Sequence, residues 1–235
     1  MHPRIAAATS PLTRGLLAGP RRPAVVLAAF PTALYLALSD EAAAHTDVLP
    51  VVTSDALILP TALRLAGPGP HDWGVAPGDV VTVGGDEVTL PNHGIHAVRS
   101  WRPRRVANGP DRVAPFDWDP LLADLGRGEG LTPRSDDVLC GALLAARAVG
   151  FDLPDEIPVG RTTSLSASLV LAARAGYAVS AVVDHVTGAV AGSDDARRTR
   201  AQVLAIGHTS GAGLLDGIDQ VLLAAQCPLP EGIPS

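Results

Sequence analysis

Leu125-Gly126-Arg127-Gly128-Glu129-Gly130-Leu131-Thr132-Pro133-Arg134-Ser135-Asp136-Asp137 is where the chain changes texture. Three glycines on alternate positions are followed by Thr-Pro, by two adjacent carboxylates, and then by the apolar run from Val138 to Leu144. Glycines let the backbone take positive φ and approach a ligand closely. Ser135 or Asp136 is placed to cap the helix that follows, which would leave N–H groups and a positive dipole end facing the loop. Such a junction suits a bound anion, and it equally suits a tight turn.

Upstream the pattern is β. Ala24 to Phe30 reads as a buried strand, followed by a helical or extended segment. Val48 to Val52, Ala56 to Leu65, Val80 to Val83 and Ile95 to Trp101 read as strands bounded by Pro, Gly and Asp. Gly84-Gly85-Asp86 joins two alternating runs, Asp79 to Val83 and Glu87 to Leu90, as a hairpin. Downstream the pattern is helical. One helix carries Val138, Leu139, Ala142, Leu143, Ala146 and Val149 and stops at Gly150. A second starts at Thr163 or Ser164 and stops at Gly176. Ala178 to Val186 is a helix or a short strand. Asp194 or Asp195 opens another helix through Ala205, and Gly211 to Ala225 makes the last. The fold class is therefore α+β: a mostly antiparallel, barrel-like N-terminal part, then a mostly α-helical C-terminal part. The divisions are a loose leader at 1–23, a β-rich domain at 24–106, a linker at 107–119, a helical domain at 120–226 and a tail at 227–235.

At 235 residues, 47% hydrophobic and 18% charged, the chain has the apolar material for a packed core. Aromatics are only 3%, so Ala, Val and Leu must fill it. A formal charge of −6 argues against nucleic acid, which wants a basic face. Arg99, Arg102, Arg104, Arg105 and Arg112 form the one basic stretch, read as an edge strand and loop with a solvated face. Cys140 and Cys227 are too few for a disulfide framework or a thiolate metal site. Arg21-Arg22, the run from Ala24 to Leu38, and Ala42 to Ala44 have the outline of a signal peptide, but Pro31 interrupts the run. A strand is the preferred reading, with a cytoplasmic protein and no membrane as the expectation.

Three polar loop-to-helix junctions carry the candidate chemistry. The first has Gly126, Gly128, Gly130, Thr132, Arg134 and Ser135, with Asp136 and Asp137 as catalytic candidates. It lacks the Gly-Lys-Ser/Thr ending of a phosphate-binding P-loop and the strand-first context of a dinucleotide fingerprint. Adjacent carboxylates suit Mg²⁺ by one oxygen each, or a nucleophile to be oriented, or simply the helix dipole. The second junction, Gly160 to Ser168, crowds hydroxyls at a helix start, including Thr162, Thr163 and Ser166, more than capping requires. The third, Ile206 to Gly217, holds His208, Ser210 and Gly211. Its spacing is not Gly-x-Ser-x-Gly, so it is no nucleophile elbow. His208 reads as a general acid/base or as a structural hydrogen-bonder. If the three helix starts converge, they form one pocket for a small anion.

Taken together, Gly126-x-Gly-x-Gly-Leu-Thr-Pro133, Asp136-Asp137-x-Leu-x-Gly141, Thr162-Thr163-x-Leu-Ser166 and Gly207-His208-Thr209-Ser210-Gly211-x-x-Leu-Leu-x-Gly217 resemble the AllH-like family, over roughly Ala24 to Ala225. Its named member is a subunit of oxamate carbamoyltransferase in allantoin catabolism. The resemblance implies other protein subunits as partners, and a small anionic substrate such as carbamoyl phosphate or a carboxylate. In that chemistry a carbamoyl group moves between phosphate and the amide nitrogen of oxamate. Arg134 or Arg161 would clamp a carboxylate and His208 would assist proton movement. Where the family usually has Ser-Gly, this chain has Arg134-Ser135. Two other readings stay open: a non-catalytic or ligand-sensing partner, and a hydrolase that holds a metal on Asp136 and Asp137.

Overall fold

The Gly84-Gly85-Asp86 corner turns a hairpin between strands β6 (Val80–Gly84) and β7 (Glu87–Thr89). Gly85 and Asp86 both have positive φ, 64° and 61°, the two-residue geometry that matches strand twist. A computed structural model describes residues 3–38, 46–110 and 115–226. The chain forms two compact units, Met1–Arg104 with Ser164–Ala172, and Arg105–Thr163 with Ala173–Ser235.

The first unit is a closed eight-stranded barrel. Its other strands are β1 (Arg4–Thr9), β2 (Arg22–Phe30), β3 (Ala33–Leu38), β4 (Asp47–Val52), β5 (Leu63–Leu65) and β8 (Gly94–Ser100). The order around it is β1-β5-β4-β3-β2-β6-β7-β8. Pairing is antiparallel except for β4–β5 and the closing β1–β8 pair. Leu34, Leu36, Leu49, Val51, Val83, Val88 and Ile95 fill the interior, and the short helix α1 (Arg14–Ala18) adds Leu17.

Several expectations are corrected here. Part of the supposed loose leader is strand β1. Its Arg-Ile-Ala-Ala-Ala-Thr sequence has no strand signature of its own and acquires one by pairing with β5 and β8. The Ala24 to Leu38 run, with its signal-peptide outline, is the β2–β3 hairpin. Only Leu63–Leu65 of the Ala56 to Leu65 run is strand, because the residues around Pro60 form turns. β8, which carries Arg99, is no edge strand, since closure pairs it on both sides. Ala42 to Ala44, Arg112 and Cys227 lie outside the described residues.

The strand directions bring the β2–β3, β5–β6 and β7–β8 connections and the end of β4 to one end of the barrel. There the Trp73 indole N–H donates to the Phe30 carbonyl at 2.7 Å. Asp55 Oδ1 accepts from the Thr53 hydroxyl at 2.7 Å and from the Gly69 N–H at 2.9 Å.

In the second unit are α2 (Asp119–Asp124), α3 (Arg134–Val149), α5 (Ser180–Val190), α6 (Ala196–Leu204) and α7 (Ser210–Gln226). The 178–186 ambiguity resolves as helix. Helix α4 is Ser164–Arg174, and its residues through Ala172 belong to the first unit. Helix α3 is the centre of the second unit. Every residue from Asp136 to Ala146 is buried, so its sequence is apolar on all sides, as a core helix requires. It ends at Gly150 in the left-handed conformation, φ 83°.

α3 and α7 approach through glycine. A Cβ on Gly141 would overlap the Leu214 carbonyl, and one on Gly217 would overlap the Val138 carbonyl. A Cβ on Gly213 would sit 2.9 Å from the Asp137 Cβ. Two backbones this close leave no slack for a methyl group. Gly217→Val should therefore lower the unfolding free energy of the helical unit by about 3 kcal/mol, measured by urea denaturation followed at 222 nm. An unchanged midpoint would mean that the crossing is looser than described.

Candidate functional site

The glycine stretch is stitched to the chain around it. Asp136, 1% exposed, accepts the Gly126 N–H on Oδ1 at 2.6 Å and the Thr162 hydroxyl on Oδ2. Ser135 Oγ accepts the Arg127 N–H at 2.9 Å and donates to the Arg127 carbonyl at 2.7 Å. The Thr163 hydroxyl donates to the Leu131 carbonyl. Gly126 has φ 85°, and a Cβ there would overlap the Arg161 carbonyl. Gly128 has φ 132° and lies against Pro133 and the Arg134 nitrogen. At both positions the close approach is to the protein's own backbone.

The capping expectation changes accordingly. Helix α3 begins at Arg134 with Pro133 as its N-cap and no side-chain cap. Ser135 and Asp136 lie inside the first turn and reach back to the loop. The Ser135 N–H at this helix start donates to the Arg127 carbonyl at 3.3 Å. Arg161, expected as a carboxylate clamp, donates to the Leu122 carbonyl at 3.2 Å and the Ala123 carbonyl at 2.9 Å, at the end of α2.

Asp137 has a different environment. The Gly213 approach brings the start of α7 to it, and the Ser210 hydroxyl hydrogen-bonds its carboxyl. Thr132 Oγ1 lies 3.3 Å from Ser210 Oγ. Asp137 is 7% exposed, and its Oδ2 is buried without a hydrogen-bond partner. Burial first, and the Asp136 carboxylate second, push its carboxyl up to about 7 against the Ser210 hydrogen bond. The buried Cys140, one turn on, is held as a thiol by the same causes, burial before the two carboxylates.

A cleft of about 610 Å³ is lined by Leu121, Asp124, Arg127, Gly128, Arg134 and Asp216 among others, with Ser135 and Val138 of α3 on its wall. Arg127 pairs with Asp124 at 2.6 Å, and Arg134 pairs with Asp216. All four side chains are well exposed, so each pair contributes at most about 1 kcal/mol and is readily exchanged.

Of the candidates read from sequence, Gly126, Gly128, Thr132, Arg134, Ser135, Asp136, Asp137, Thr162, Thr163 and Ser210 come together around the starts of α3 and α7. Gly130 has a positive φ of 87° and open space around it. Gly211 packs against the Val203 carbonyl of α6. His208 is exposed in the turn before α7, and Ser166 is buried on the part of α4 assigned to the barrel unit. Sequence reasoning passed over Asp124, Arg127 and Asp216. The one signal for Asp216 was a carboxylate inside a mostly apolar helix that also carries Asp219. Among the described residues, no group of three or more His, Cys, Asp or Glu is placed to hold a metal ion, and no helix is long and apolar enough to cross a membrane.

The helical unit is thus a glycine-stitched helical domain with a carboxyl and hydroxyl cluster beside an arginine-rimmed cleft. Residues 125–222 match the family model described as oxamate carbamoyltransferase subunit AllH. The match begins at the glycine stretch and ends within α7, so it covers the helical part and is narrower than the span the motifs led us to expect. No solved structure matches the chain.

Two outcomes follow from this geometry. Asp136→Ala removes the acceptor of the Gly126 and Thr162 bonds and should lower the unfolding free energy by about 3 kcal/mol, with the 125–134 loop becoming open to limited proteolysis. For Asp137, the ordinary carboxyl value of 3.8 rises to about 7 on folding. The folded chain holds this proton more tightly than the unfolded one, so the contribution is full below about pH 4 and lost as pH rises through about 7. At 1.36 kcal/mol per unit the loss is about 4 kcal/mol. Asp137→Asn should remove that pH dependence between pH 5 and 8.5 in denaturant titrations, whereas parallel profiles for variant and wild type would refute the buried proton.

Proposed function

We propose that this chain is a subunit of a carbamoyltransferase assembly of the oxamate type, and that its helical unit binds a small anion in the cleft beside the glycine stretch. The observation that carries the reading is the coincidence of the family match with the cleft: Arg127, Gly128, Arg134, Ser135 and Asp216 all fall within residues 125–222. A planar guanidinium accepts a carboxylate or phosphate by two parallel bonds. An incoming anion would take Arg134 from Asp216, and Arg127 offers a second guanidinium on the same rim. The Arg134-Ser135 pair, which departs from the family's usual Ser-Gly, thereby becomes part of the anion site.

In this reading the carboxylates divide the work. Asp136 is a positioning residue that fixes the loop through Gly126 and Thr162. Asp137, with Ser210 and Thr132, holds a proton near neutral pH and adds no negative charge beside the anion below pH 7. Carbamoyl transfer needs charge stabilised on the carbonyl oxygen and on the leaving phosphate. Arg127 and Arg134 supply the positive charge on the rim of the cleft. A second reading, a non-catalytic partner, is favoured by one observation: Ser135, Asp136 and Thr162 direct their polar atoms at the chain itself.

Thermal unfolding of the full chain with oxamate, carbamoyl phosphate or inorganic phosphate separates the two. A ligand present at 100 times its dissociation constant stabilises by about 2.7 kcal/mol, visible as a raised midpoint. Arg134→Ala should abolish most of the shift and keep the unliganded midpoint within about 1 kcal/mol. If none of the three anions moves the wild type, the anion site is wrong and the non-catalytic reading stands.

A further inference from the structure

At the barrel end described above, two imidazoles meet. His71 lies in the β5–β6 connection and His93 in the β7–β8 corner. Their Nε2 atoms are 3.1 Å apart, with ring planes crossing at 84° and ring centroids 5.0 Å apart. The His71 backbone N–H donates to the Pro31 carbonyl at 2.7 Å, and the imidazole ring packs on Trp73 with centroids 4.5 Å apart. The His93 carbonyl accepts the Leu90 N–H at 2.9 Å, and its side chain is buried at 7% exposure.

Two rings meeting head-on at this N···N distance would have centroids farther apart than 5.0 Å. The Nε2 lone-pair directions are therefore bent away from the line that joins the two atoms. An ion bonded to both nitrogens at about 2.0–2.1 Å with near-tetrahedral or square-planar angles spans about 3–3.4 Å between them. We propose that His71 and His93 form a binding site for one divalent transition cation, ligated through both Nε2 atoms. Imidazole donors select zinc, nickel and copper over magnesium and calcium. Among the described residues no third His, Cys, Asp or Glu joins the pair, so the remaining positions take water or a donor from a bound molecule. Asp72, which accepts the Gly74 N–H at 3.0 Å, adds negative charge next to His71.

Burial, and then His71, hold the His93 imidazole below its ordinary range, partly opposed by Asp72. The ring is thus in its neutral, ligating form at neutral pH. The site belongs to the barrel unit and does not rest on the function proposed for the helical unit.

The test is calorimetric titration of the full chain, first stripped with a chelator, with Zn²⁺ and Ni²⁺. One ion per chain is expected. His93→Gln and the half-exposed His71→Ala should each weaken binding by at least about tenfold, as losing even an outer-shell partner of a metal ligand does. The Cu²⁺-loaded wild type should show electron paramagnetic resonance splitting from two nitrogens, and His71→Ala from one fewer. If His93→Gln does not fold, His71→Ala decides. Absence of binding, unchanged affinity in His71→Ala, or equal binding of Mg²⁺ would overturn the site and leave a bare imidazole hydrogen bond.

Discussion

The close crossing of α3 and α7 is the constraint on which the helical unit depends. With hydrogen at Gly141, Gly213 and Gly217 the two backbones come within contact of each other's carbonyls. Helices that pack through larger side chains stay 8–10 Å apart. The short distance has a chemical result: it carries the start of α7 down onto the first turn of α3. Ser210 then reaches Asp137, and solvent is excluded from one carboxylate oxygen. The unusual affinity of Asp137 for its proton is a product of helix packing, set by residues that have no side chains.

The adjacent carboxylates show how far sequence alone reaches. Asp136-Asp137 stands out as a pair, yet the two side chains lie about 100° apart around a helix and meet unrelated surroundings. Asp136 faces the loop and Thr162, and accepts the Gly126 N–H and the Thr162 hydroxyl. Asp137 faces α7, with a single hydroxyl. The two roles are separated by partners elsewhere in the chain, Gly126 and Thr162 at 10 and 26 residues from Asp136 and Ser210 at 73 residues from Asp137. The glycines were legible as glycines, and their backbone partners were not.

The barrel was legible where its signals are local. The β6–β7 hairpin carries its own turn chemistry, and β2, β4 and β8 carry β-branched or alternating residues. β1 has no such signal, since three consecutive alanines favour helix at least as well as strand. His71 and His93 escaped notice for a related reason. Each is a single histidine in a loop, 22 residues from the other, and only the directions of β6, β7 and β8 return the chain to the same end.

The alanine content of β1 has a consequence for how the barrel is made. The strand is bonded on one side to β5 and on the other to β8, so its last partner emerges from the ribosome some ninety residues after it does. At 5–20 residues per second this is a wait on the order of ten seconds. A strand rich in valine or isoleucine, left unpaired that long, would be an adhesive edge. Arg4-Ile-Ala-Ala-Ala-Thr9 is weakly apolar and begins with a charge, which makes it a poor adhesive edge while it is unpaired.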